Sequence, residues 1–79
     1  MTKIFVSKLC PDCNEIIKDY EKNPKNYEGM EIIDITESMA NLKRFLAYRD
    51  SEEAFKKKIK TNQVGIPVKI DDKKDINFL

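Results

Sequence analysis

Thr2-Lys3-Ile4-Phe5-Val6-Ser7-Lys8-Leu9-Cys10-Pro11-Asp12-Cys13 carries two signals side by side. The first is a β-branched and aromatic run, Lys3 to Ser7, which predicts a strand. The second is a pair of cysteines three residues apart, with a proline after the first. Proline is favoured at the first position of a helix, where its missing N–H is no loss. The stretch therefore predicts a strand that feeds, through a short turn, into a helix whose mouth holds Cys10.

Outward from there, Cys13, Ile16, Ile17 and Tyr20 recur at helical spacing and predict one apolar stripe. Asn23-Pro24 stops that helix, because a proline pushes the residue before it out of helical geometry. Gly29 allows a turn. Met30 to Ile35 predicts a second strand, nearly continuous in apolar character, as expected of a strand buried on both faces. Thr36 or Ser38 then caps a helix that buries Leu42, Phe45 and Leu46. Asp50-Ser51 interrupts it, and Ser51 is a candidate second cap with Glu52 and Glu53 behind it. Phe55 and Ile59 continue an apolar stripe. Lys56, Lys57, Lys58 and Lys60 read as a solvated helix end rather than an anion site. Pro67 to Ile70 predicts a third strand, Asp71 to Lys74 a turn, and Asp75 to Leu79 a fourth strand. The order is β-α-β-α-β-β. A helical crossover makes the first two strands parallel, and the short final turn makes the last two an antiparallel hairpin.

The chain has 79 residues, enough for a single domain over residues 1–79. Such a domain buries only roughly 60–65% of the surface its unfolded form exposes. Fifteen Lys and Arg against fourteen Asp and Glu leave a net charge of +1, so neither nucleic acid nor membrane surface is indicated as a partner. There is no histidine, which removes Ser-His-Asp and Cys-His mechanisms and most zinc sites. No apolar run approaches the roughly 20 residues a membrane span needs. The N-terminus reads as a strand rather than a signal peptide. The expected compartment is the reducing cytoplasm, where a close cysteine pair points to catalysis or metal binding rather than a structural staple.

Thiolate is the reactive form of cysteine, and a helix N-terminus lowers a thiol pKa from about 8.5 to roughly 3.5–7.5. Cys10 is placed for that effect. Cys13, inside the first turn, is placed to attack a mixed disulfide formed on Cys10. Asp12 opposes the effect on the thiolate while stabilising the helix, and is expected to be solvated and screened. Two other readings stand beside redox chemistry. In one, two chains pool their thiols around a metal or an iron–sulfur cluster, since one chain supplies no further cysteine or histidine. In the other, the chain is a non-catalytic interaction module that keeps an inert pair.

Cys10-Pro11-Asp12-Cys13 after a first strand, with Gly65-Ile66-Pro67 opening a third, resembles glutaredoxin-like proteins of the thioredoxin fold. The resemblance spans the chain in element order. It implies an α/β fold of minimal thioredoxin/glutaredoxin-like type, with a four-stranded mixed sheet and without the family's terminal helix. It implies a thiol–disulfide oxidoreductase with Cys10 attacking and Cys13 resolving. It implies that the peptide bond before Pro67 is cis, that Pro67 lies against the cysteines, and that the Ile66 backbone pairs with an extended substrate. Lys8 resembles the basic residue that glutaredoxins carry just before the first cysteine to hold a glutathione carboxylate, here one residue closer than usual. The family's middle tyrosine is Asp12 here, and its Gly-Gly turn after the fourth strand is missing. Fold and dithiol chemistry survive those departures. Glutathione becomes one possible reductant, beside a reductase, and no bound cofactor is implied. The implied partners are protein or small-molecule disulfides, and the expected state is a monomer.

Overall fold

The computed structural model describes residues 1–79 as an α/β domain with four strands in one mixed sheet and three helices. Strand β1 spans Thr2–Val6, helix α1 Asn14–Lys22, strand β2 Met30–Asp34, helix α2 Met39–Arg49, helix α3 Lys56–Lys60, strand β3 Val68–Ile70 and strand β4 Ile76–Phe78. The sheet order is β2-β1-β3-β4. β1 runs parallel to β2, with Ile4 opposite Ile32, and antiparallel to β3, with Ile4 opposite Lys69. β3 and β4 form the expected hairpin, with Ile70 opposite Ile76. Asp71 ties its turn by accepting hydrogen bonds at Oδ1 from the Lys73 and Asp75 amides, both at 2.9 Å.

Side chains alternate across a strand, so the sheet sorts its apolar residues into two cores. Phe5, Ile33, Ile35, Val68 and Ile70 meet Phe45 of α2 and Phe55 on one face. The rings of Phe5, Phe45, Phe55 and Phe78 form a chain of tilted and edge-to-face contacts 5.2–5.8 Å apart. On the other face Ile4 and Val6 pack with Cys13, under Ile16 and Ile17 of α1. The first core is the larger by far. α1 itself has no fully buried residue.

Three expectations change at this level, and the choice between Thr36 and Ser38 as helix cap is decided. β2 is an edge strand, and within it Ile33 alone is fully buried. Its Met30 and Ile32 face a helix of nine residues that lies chiefly over β1, so they stay half-buried. The helix cap is Ser38, whose Oγ accepts from the Asn41 amide at 3.1 Å, while Thr36 turns to Asp34 instead. Ser51 caps nothing: its hydroxyl donates back to the Ala47 carbonyl, and a 3-10 turn over Glu53–Phe55 leads into α3. Ile59 is 42% exposed, because that five-residue helix buries its contact through Phe55.

Candidate functional site at the cysteine pair

β1 ends at Val6, and the chain makes a tight bend before Pro11. The Cys10 amide donates to the Ser7 carbonyl at 3.1 Å, and the Leu9 amide donates to Ser7 Oγ at 3.1 Å. Thr36 gives its hydroxyl proton to Asp34 Oδ1 at 2.7 Å, which leaves Ser7 as the donor to Thr36 across 2.7 Å. The Lys8 amide adds a bond to Asp34 Oδ2 at 3.2 Å. Burial works to raise the Asp34 carboxyl, but the Thr36 hydroxyl and amide, then the Lys8 amide and charge, outweigh it and hold the group below its ordinary value. This network welds the cysteine bend to the end of β2.

Cys10 has extended backbone, φ −98° and ψ 118°, and caps a 3-10 turn over Pro11–Cys13 that runs straight into α1. The expected helix mouth is therefore a 3-10 turn rather than the first turn of an α-helix. Pro11 occupies the first position, as its sequence predicts. Both cysteines are free thiols, Cys10 half-buried and Cys13 fully buried, at 0% exposure. The Cys13 thiol is pushed up to about 11, chiefly by burial, against the pull of a backbone hydrogen bond at Ser7. The neighbouring Cys10 thiol and the charge of Asp12 also push it up.

A groove of about 380 Å³ opens on Cys10, with Ser7, Leu9, Asp12, Ile35, Thr36, Gln63, Val64, Gly65 and Ile66 around it. Ile66 packs against the cluster that holds Cys13 and Cys10. The Ile66–Pro67 bond is cis. The Ile66 amide and carbonyl make no hydrogen bond to the rest of the chain, in contrast to the Pro67 carbonyl, which accepts from the Leu79 amide at 3.0 Å. Gly65 takes φ +99°, and a Cβ there would lie 3.0 Å from Phe55 Cε1. Glycine is thus required both by conformation and by the ring beneath it.

Cys10, Asp12 and Ile66 line this one groove, Pro67 lines the depression beside it, and Cys13 lies buried behind Cys10. Lys8 is not brought in. Its charge falls on Asp34, and it lines a separate depression with Ile17, Tyr20 and Glu21. Three residues absent from the sequence expectation also build the site. Leu9 and Val64 form exposed lips of the groove. Arg49, at the end of α2, donates from Nε to the Val64 carbonyl and from a terminal nitrogen to the Gln63 carbonyl, both at 2.9 Å. The site's two thiols are half the ligand set of a tetrahedral metal centre, so such a centre would need a second chain. No helix is long and apolar enough to cross a membrane. Compared with protein families, curated proteins and solved structures, the chain matches none.

Proposed function

We propose that the chain is a small thiol–disulfide oxidoreductase of glutaredoxin-like kind, working in the cytoplasm on a minimal thioredoxin-type fold. One observation carries the reading: an accessible thiol stands in front of a buried one, in a groove whose far wall, Ile66, has a free backbone donor and acceptor. The Cys10 thiolate attacks a substrate disulfide, forming a Cys10–substrate bond and expelling one substrate thiolate. Cys13 gives up its proton and attacks Cys10 sulfur, closing a Cys10–Cys13 disulfide and releasing the second substrate thiol. Two electrons pass from the pair to the substrate. A thiol reductant, glutathione or the dithiol of a reductase, returns them.

Two features support the order of attack. Cys10 is the sulfur that solvent reaches, and Cys13 keeps its proton at neutral pH. The test is reduction of bis(2-hydroxyethyl) disulfide by the prereduced protein, followed by mass spectrometry. Parent protein should end with an internal disulfide. Cys13→Ser should accumulate a mixed disulfide on Cys10, and Cys10→Ser should react at least a hundredfold more slowly. Equal reactivity of the two single variants would reverse the roles, and inertness of the parent would end the proposal.

A further inference from the structure

The Cys10 groove does not end at Ile66. A second depression, about 420 Å³, lies on the other side of the Ile66–Pro67 segment. The two adjoin through the shared walls of Asp12, Gln63, Gly65 and Ile66, a trough in two parts beside the cysteine. Its two ends differ in chemistry. At the Cys10 end Leu9 and Val64 stand 81% and 53% exposed, and the buried Ile35 also lines the groove. Leu9 and Val64 leave apolar surface beside the concavity that an apolar side chain of a partner can cover. Asp12 on the shared wall and Glu15 at the far end are in no ion pair, and Lys58 stands on the same far wall as Glu15. The Lys58 ammonium is already engaged: it sits 4.8 Å from the centre of the Phe78 ring and donates to Gln63 Oε1 at 3.3 Å. Two carboxylates, Asp12 and Glu15, against this one ammonium leave a net negative charge beside the depression.

We infer that the trough takes an extended protein segment whose disulfide-bonded cysteine is flanked by an apolar side chain on one side and a basic side chain on the other. This rests on the oxidoreductase reading and adds the class of substrate to it. The apolar side chain covers Leu9 and Val64, the basic one reaches Asp12 and Glu15, and the cysteine between them meets Cys10. A dicarboxylate thiol such as glutathione meets two carboxylates here, Asp12 and Glu15, against the one ammonium of Lys58, and Lys8 lines a different depression. The exchange is the one already written, with the peptide disulfide as the oxidant of the dithiol.

The test uses symmetric disulfides of short peptides, each peptide carrying one cysteine with Leu or Ser on one side and Arg or Glu on the other, in both orders. Oxidation of the reduced protein is followed by stopped mixing, and bis(2-hydroxyethyl) disulfide reports the chemistry alone. The Leu/Arg peptide should oxidise the protein about tenfold faster than the Ser/Glu peptide. Exposed charge pairs are worth a few-fold each and are screened by salt, so the Arg-over-Glu ratio should shrink as salt rises. Glu15→Gln should lower that ratio about threefold, Glu15→Lys should invert it, and Leu9→Ser should lower the Leu-over-Ser ratio. Equal rates for all peptides, or a preference for Glu, overturn the inference while reaction of the small disulfide leaves the oxidoreductase reading standing. If no disulfide oxidises the dithiol, both fall.

Discussion

At the scale of single residues the two thiols divide exposure and protonation between them. Iodoacetamide at pH 7.5 should label Cys10 and leave Cys13 unmodified until the protein unfolds, which peptide mass mapping over time reads directly. Comparable early labelling of Cys13 would contradict its burial. The raised Cys13 pKa also has a consequence for stability. The folded state holds this proton more tightly than the unfolded chain, so the stabilisation is complete below the unfolded pKa, about 8.5–9, and is lost as pH climbs through about 11. At 1.36 kcal/mol per pKa unit, the reduced protein should lose roughly 2–3 kcal/mol across that window relative to Cys13→Ala. Urea midpoints of the two proteins at pH 8 and pH 11 measure the difference. Gly65→Ala places a methyl carbon against Phe55 at a φ of +99°, and should cost about 2 kcal/mol or more by the same method.

At the scale of elements the decisive joint is between α2 and the segment before β3. Arg49 holds two successive carbonyls, at Gln63 and Val64, and through them one lip of the groove. Arg49→Ala should destabilise by about 1–3 kcal/mol, the worth of charge-assisted hydrogen bonds at a largely covered side chain, and should slow peptide disulfide exchange more than exchange with bis(2-hydroxyethyl) disulfide. Nothing in the sequence announces this joint, because a basic residue in the last turn of a helix ordinarily answers only the helix dipole. Elements with a strong local pattern were legible: the opening strand, the Cys10-Pro11 start, the stop at Pro24 and the closing hairpin all stand where their residues put them. Features set by tertiary neighbours were not. The apolar run Met30 to Ile35 reads like a central strand but lies at an edge, since strand order is not written in hydropathy. Lys8 stands near the cysteines in sequence, yet it lines a different depression, beside Asp34, which is distant in sequence. Leu9 and Val64 look like ordinary apolar residues until burial shows them standing out from the surface.

At the scale of the whole molecule the sheet separates a thick core from a thin one. Phe45 is wholly buried between Phe5 and Phe55 in the thick one. Phe45→Ala should cost about 3–5 kcal/mol, a large share of what a domain this small possesses, and thermal melts should show it largely unfolded at 37 °C. The thin core consists of Ile4, Val6 and Cys13 under α1 and holds the second sulfur of the pair. With so little buried beneath it, α1 is expected to open at a lower free energy than β1, β3 and α2. Native-state hydrogen exchange should find the amides of Ile16 and Ile17 opening with a shallow denaturant dependence, and that of Phe45 opening only with the full slope of global unfolding. Cys13, in the turn that leads into α1, should then meet oxidants at the rate of that local opening, slower than Cys10 and faster than the fold as a whole comes apart.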